Sequence, residues 1–285
     1  MITIQPTGGL CNRMRATDSA ISLSKKINKP LRLIWCKNQE LNCGFDELFV
    51  VPKSVEKFQQ YDQYYDSSNR VARFQNKISK EMAKKMSLLY YEKCLTNQDI
   101  TKLINQEYNF EDLASYKRIF LLASRRFYSS THPFQEFMPV ESIQKVIDSY
   151  TKNFNHTIGV HIRRSDNVQA IEHSPIEKFI NLMEKEVSNN QNVTFFLATD
   201  SKNEERLLKA RFPGRIIAHS KESLSRTNPH AIHDALVDLF CLSKCNKLIG
   251  SFHSSFTDTA WQINNIERVI AKQGDSVNTG SVWSL

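Results

Sequence analysis

The feature that most constrains this chain is the alternation in its second half. Short apolar runs take turns with longer stretches whose apolar residues recur every three or four positions. Ile158 to Ile162, Val193 to Ala198, Ile216 to Ala218, Lys247 to Gly250 and Arg268 to Ala271 read as strands. Pro175 to Ser188, with Ile176, Phe179, Ile180 and Met183 on one face, reads as a helix. So do Asn203 to Phe212, Ser255 to Asn264, and His233 to Ser243 with its apolar Leu236, Leu239, Phe240 and Leu242. Strands alternating with helices build a parallel sheet covered on both faces. The second half is therefore expected to be a doubly wound α/β domain.

The first half opens in the same style. A strand at 2–5, a Gly-containing loop at 6–12, a helix from about 13 to 27 and a strand from Leu31 to Cys36 make a βαβ start. Arg118 to Ala123 reads as another strand. Residues 53 to 117 are polar and mostly helical in pattern, with Phe58, Tyr61, Tyr64 and Tyr65 clustered early and Leu88, Leu89, Tyr90, Tyr91 and Leu95 later. Pro133 and Pro139 punctuate the middle, and a helix is expected from Val140 to Phe154. The domain switch is placed there, giving an N-terminal domain of residues 1–137 and a C-terminal domain of 138–285. A polar tail from Gln273 carries Trp283, which could dock.

Charge separates the halves. Of the net +8, residues 1–137 carry 21 Lys and Arg against 14 Asp and Glu, and the remainder is nearly balanced. A solvated face is the bland reading of the basic half. An acidic acceptor or peripheral contact with an anionic membrane surface is the sharper one. Nucleic acid is not expected as a partner, because the basic residues are dispersed and no helix-turn-helix, zinc-finger or RNP signature occurs. No apolar run approaches the length of a membrane span. No signal peptide is expected at Met1, and Cys11, Cys36, Cys43, Cys94, Cys241 and Cys245 include no CxxC pair. Cys241 and Cys245, one helical turn apart, read as buried free thiols, and a reducing, cytoplasmic setting fits.

Ligands of open α/β sheets lie beyond the carboxyl ends of strands, so motifs at those ends matter most. Gly8-Gly9-Leu10-Cys11-Asn12-Arg13 follows the first strand and opens the first helix, as a phosphate cradle or as a plain tight turn. Gly159-Val160-His161-Ile162-Arg163-Arg164-Ser165-Asp166 ends a strand in two adjacent arginines. A diphosphate would supply acceptors for both; a salt-bridge network with Asp166 and Glu172 is the alternative. His161 alternates onto the inner side of its strand, where a satisfied buried histidine is the commoner outcome. Asp200 and Ser201 follow the next strand, placed either to accept hydrogen bonds from a base or ribose or to cap the following helix. Asp234 and Asp238 lie one turn apart on a helix and share a face. After it, Ile249-Gly250-Ser251-Phe252-His253-Ser254-Ser255-Phe256 makes a second anion cradle or a helix cap. There is no GxSxG, HExxH, kinase set or DxD pair. With no DxD pair to hold a divalent metal, a leaving diphosphate would be neutralised by arginine and helix dipoles.

His161 to Asp166, Phe196-Leu197-Ala198-Thr199-Asp200, and Asp238 through Ser251-Phe252-His253-Ser254 together resemble the three motifs of the α1,2-/α1,6-/protein-O-fucosyltransferase superfamily. The likeness is greatest to its α1,6 branch, which includes the core and nodulation-factor enzymes. Gly8-Gly9-Leu10-Cys11-Asn12 is similar to the opening of the α1,2 branch, with Cys11 replacing a glycine. The resemblance covers the second domain and the first 15 or so residues; the stretch from about 40 to 137 carries little of it.

What the resemblance implies is a GT-B-like α/β fold, two Rossmann-like domains facing across a cleft. It also implies GDP-fucose as donor, inversion at the anomeric carbon, and neither metal nor cofactor. Arg163 and Arg164 would hold the diphosphate, with Arg164 the more important. His161 would contact the nucleotide or its phosphates, and Asp200 and Asp238 would read the guanosine. Ser251, Ser254, Ser255 and the amides around Phe252 would hold phosphate, and Gly9 and Asn12 would reach the donor from the first domain. Two positions depart from the pattern: Ser201 stands where a second Asp is usual, and the loop after the arginines is one residue short. Glu172 is therefore out of register as general base, with Asp166 and His173 as rivals. The expected activity is transfer of fucose to a glycan or glycolipid hydroxyl. The alternatives are a different nucleotide sugar and a catalytically inactive sugar-nucleotide binder.

Overall fold

The computed structural model describes residues 1–63, 90–165, 168–221, 223–225 and 227–273. Tyr64, Tyr65, Leu88, Leu89, Asp166 and Trp283 lie outside the described residues. The chain divides into two compact units, residues 1–140 with 225–232, and residues 141–224 with those from 233 onward.

The first unit is built on β1 (Ile2–Pro6), α1 (Leu10–Lys26), β2 (Leu31–Lys37), β3 (Val55–Asp62), β4 (Lys93–Leu95), α2 (Asn97–Asn105) and β5 (Ile119–Ala123). Its sheet runs β3-β2-β1-β5-β4, with every pairing parallel. Ile2, Ile4, Leu31, Leu33, Ile119 and Leu121 are buried along the central strands. Trp35, Phe45, Phe49 and Phe137 form an aromatic cluster with ring centroids 5.2–6.4 Å apart.

The helical expectation for 53–117 is corrected here. Residues 55–62 are a strand, β3, paired with β2, and 93–95 are a second one. β3 lies at a sheet edge and exposes Glu56, Lys57 and Gln59, so it lacks the apolar alternation of a half-buried strand. Thr96 caps α2 through a reciprocal box with Asp99, an N-terminal signal that the polar composition obscured.

The second unit holds α3 (Glu141–Thr151), β6 (Thr157–Ile162), α4 (Val168–His173), α5 (Ile176–Asn189), β7 (Thr194–Thr199), α6 (Lys202–Arg211), β8 (Ile216–Ala218), α7 (Pro229–Ser243) from His233 onward, β9 (Lys247–Ser251), α8 (Ser255–Asn264) and β10 (Glu267–Ala271). The sheet order is β10-β9-β6-β7-β8, again all parallel. β6 is central and buried throughout, as continuous apolar runs in parallel sheets require. Val160, Ile162, Phe195, Leu197 and Ile249 meet Phe179 and Met183 of α5 in the core. Gly159 allows close packing over β6, since a Cβ there would lie 2.9 Å from Leu242. Cys241 and Cys245 are buried free thiols, the latter 3.4 Å from the Cys241 carbonyl. Burial pushes the Cys241 thiol up to about 12, so it is inert at neutral pH. Among the described residues, no helix is long and apolar enough to cross a membrane.

Candidate functional site

The site begins where β6 ends. His161 is almost fully buried, with Nδ1 2.7 Å from Thr257 Oγ1 and its ring stacked on Phe256 at 4.7 Å. Burial, helped by the Arg163 charge, pulls its pKa down to about 3. The imidazole is neutral, ties β6 to α8, and has no charge to offer a phosphate.

The two arginines diverge. Arg163 Nη1 lies 2.8 Å from Asp200 Oδ2, while Arg164 Nε lies 2.6 Å from Glu204 Oε1. The Arg164 guanidinium also donates to the Arg163 carbonyl at 3.1 Å and sits 5.9 Å from the centre of the Phe179 ring. Each guanidinium has its own carboxylate, which removes their mutual repulsion. Among the described residues, the carboxylates that meet the two arginines are Asp200 and Glu204. The Arg164 guanidinium is thus held against α6 and Phe179.

Asp200 organises the loop. It accepts from the amides of Arg164 (2.7 Å) and Ser165 (3.2 Å) and from Ser165 Oγ (2.7 Å), besides pairing with Arg163. Burial pushes its carboxyl up, but Arg163 and these hydrogen bonds outweigh burial and hold it below its usual value. Ser201 caps α6, accepting from the Glu204 amide at 3.3 Å.

The β9–α8 turn is largely engaged with its own neighbours. Ser251 Oγ accepts from the Arg163 amide at 3.0 Å and donates to the His161 carbonyl at 3.2 Å. The Phe252 amide donates to Ser174 Oγ at 2.8 Å. Lys272 Nζ lies 4.4 Å from the centre of the Phe252 ring. Ser254 is buried and caps α8, and Ser255 is its first residue. His253 takes a left-handed φ of 52°, and a Cβ on Gly250 would meet Thr257 Cγ2 at 2.1 Å. Only glycine lets α8 approach β9 so closely.

Asp238 is buried on α7, with Oδ2 2.5 Å from Lys221 Nζ. Its Oδ1 has no hydrogen-bond partner among the described residues. Burial raises its pKa against the pull of Lys221. Asp234, one turn earlier, pairs with His219 Nε2 at 2.8 Å, and His219 Nδ1 lies 3.2 Å from the Tyr150 hydroxyl. Beside them is a cavity of about 340 Å³ whose lining includes Thr199, Ser201, Arg206, His219, Lys221 and Leu224. Lys221 and His219 escaped the sequence reading. Both follow β8, so the strand-end criterion could have found them.

Glu172 is exposed on the short helix α4. His173 stands edge-on to Phe252, with ring centroids 5.4 Å apart. Val168 and Ile171 of α4 are exposed as well.

In the first unit, Gly8 has φ 83° and Gly9 is the N-cap of α1, with no side-chain cap. The Gly8 amide donates to Glu40 Oε2 at 2.9 Å, so a carboxylate sits where the sequence suggested an anion. Arg13 is buried and grips the loop, donating to the carbonyls of Gly8 (2.8 Å) and Cys36 (2.6 Å) and to Asn38 Oδ1 (2.8 Å). Burial lowers its pKa to about 10, which leaves it charged at neutral pH. Asn12 Oδ1 accepts from Arg15 at 2.8 Å.

No protein-family model matches the chain, and no curated protein matches it in sequence. Solved structures do match. Fucosyltransferase NodZ from Bradyrhizobium aligns over 94% of this chain and 94% of its own, with 17% identity and a TM-score of 0.62. A crystal of NodZ alpha-1,6-fucosyltransferase soaked with GDP-fucose gives the same coverage and identity with a TM-score of 0.63. An Arabidopsis thaliana FUT1 mutant in complex with GDP matches 96% of this chain and 70% of its own, at 11% identity and a TM-score of 0.57. POFUT1 in complex with GDP matches over 95% and 98%, at 12% identity and a TM-score of 0.55. The chain has the GT-B-like α/β fold of these fucosyltransferases.

Proposed function

We propose that this chain is a glycosyltransferase that moves fucose from GDP-fucose to a hydroxyl of a glycan or glycolipid. The observation that carries this reading is the pair Arg163–Arg164 at the carboxyl end of β6, braced by Asp200 and Glu204, on a fold shared with proteins crystallised with GDP or GDP-fucose. In the proposed reaction the acceptor oxygen attacks the anomeric carbon as the bond to the diphosphate breaks, with inversion. Arg163 takes up the negative charge that grows on the leaving phosphate. Asp200 holds Arg163 in place, and Asp238 reads the base. Ser254 and Ser255 contribute donor contacts at the start of α8.

The attacking hydroxyl loses its proton to a carboxylate of the α4 region, Glu172 or Asp166. The arginines and helix termini take the place of a divalent metal. The basic first half favours an acidic acceptor or one at an anionic membrane surface, and the buried free thiols favour a cytoplasmic setting.

The test is thermal stabilisation by GDP, GDP-fucose, GDP-mannose and UDP with a chelator present, followed by donor turnover. Stabilisation by GDP and GDP-fucose, with release of GDP, supports the reading. Stabilisation by UDP alone favours a different nucleotide sugar. GDP binding without hydrolysis or transfer favours an inactive binder.

A further inference from the structure

We propose that Lys221 sets the base specificity of the nucleotide site, donating to the O6 carbonyl of guanine while Asp238 accepts from its N1–H and N2–H groups. The inference rests on the guanine-nucleotide reading above and adds a residue that the motifs do not contain.

Lys221 lies three residues past the end of β8, at the sheet edge where ligands of open α/β folds bind. Its ammonium has three donors. One reaches Asp238 Oδ2 at 2.5 Å and a second reaches the carbonyl of Thr199, the last residue of β7, at 3.2 Å. The third meets no acceptor among the described residues and is open to a ligand. Asp238 is short of a partner in the complementary sense. Its Oδ1 is buried and accepts from no described residue. Native proteins leave few buried carboxylate oxygens without a donor, so the orphan calls for an occupant. Lys221 also lines the cavity of about 340 Å³ beside the pair, within the range of roughly 300–1,000 Å³ usual for small-ligand sites.

An ammonium and a carboxylate side by side present a donor and then acceptors. The edge of guanine presents the complement, the O6 acceptor beside the N1–H and N2–H donors. Adenine and cytosine would bring an amino group to the ammonium. Uracil matches at O4 and N3–H but turns its O2 acceptor toward the remaining carboxylate oxygen. Guanine alone satisfies both side chains.

The test compares affinities of the wild-type protein for GDP, UDP, ADP, IDP and the diphosphate of 2-aminopurine riboside, which keeps N2 but lacks both O6 and N1–H. The charge-assisted hydrogen bond from Lys221 to O6 corresponds to roughly a tenfold share of the preference for GDP over the 2-aminopurine nucleotide, and the lost N1–H adds to it. That preference should fall by about tenfold in Lys221→Met, to the share that the N1–H contact with Asp238 supplies, while the preference for GDP over IDP, which reports N2, persists. Equal wild-type affinity for GDP and the 2-aminopurine nucleotide overturns the inference without recourse to any variant. So does undiminished discrimination in folded Lys221→Met. A wild-type protein with no preference for GDP over UDP and ADP instead removes the nucleotide assignment on which the inference stands.

Discussion

Arg164 Nε meets Glu204 Oε1 at 2.6 Å, with both side chains about 15% exposed, while the preceding Arg163 turns to Asp200. Adjacent in sequence, the arginines have different work. Arg164 is held by α6 and packs on Phe179, so its loss strands a largely buried carboxylate. Arg164→Ala should destabilise the protein by about 2–3 kcal/mol, read as a fall in Tm. Arg163→Ala should leave Tm within a few degrees and cut turnover by about a hundredfold or more, the usual cost of removing one preorganised charge stabiliser. A folded Arg163→Ala with near-normal turnover sinks the assignment.

Glu40 at the Gly8 amide yields a second prediction. If the start of α1 receives a donor phosphate, the 2.9 Å carboxylate contact must first be given up. Glu40→Gln should then bind GDP a few-fold more tightly than the wild type, measured by calorimetry, with a larger gain at low ionic strength. Unchanged affinity at every salt concentration would separate Glu40 and this loop from the donor.

The elements around the arginines were legible because β6 is a central strand buried on both faces, and such strands write themselves as apolar runs. β3 was not legible, since a polar edge strand has no buried face to mark it. The residue types of the site were equally visible at the strand ends. Their partners were not. Asp200 meets Arg163 because β6 and β7 lie side by side, a relation between residues 37 apart that no local pattern encodes. Lys221 was hidden for a related reason: it follows a strand of only three residues, and its meaning comes from Asp238 on a later helix.

His161 should govern the acid side of the stability curve. Its pKa is about 3 in the fold against 6.5 unperturbed, so between those values the unfolded chain binds the extra proton. Stability contributed by the neutral imidazole is present above pH 6.5 and falls as pH drops toward 3, by up to about 1.4 kcal/mol per pH unit. The depressed Asp200 carboxyl acts with the same sign, but only below its unfolded value of about 3.9. Urea unfolding of His161→Asn should therefore lose the slope between pH 6.5 and 4, whatever its stability at pH 7. Retention of the wild-type slope there would falsify the neutral, buried state of the ring.

The close approach of α8 to β9 can be tested by filling the space that Gly250 leaves. A Cβ at this position would lie 2.1 Å from Thr257 Cγ2 and 2.8 Å from Oγ1, far inside contact distance. The same Thr257 hydroxyl holds His161, so an added methyl presses on the join between the turn and β6. Gly250→Ala should cost about 1–3 kcal/mol by overpacking and should weaken GDP binding with it. Thr257→Ser removes the offending methyl and keeps the hydroxyl. Combined with Gly250→Ala, it should recover most of the lost stability, giving a coupling energy of about 1 kcal/mol or more in a double-mutant cycle. Additive effects of the two substitutions would mean that the alanine methyl is accommodated by moving the backbone of the turn rather than by meeting Thr257. In that case GDP affinity should stay low in the double variant even if Tm rises.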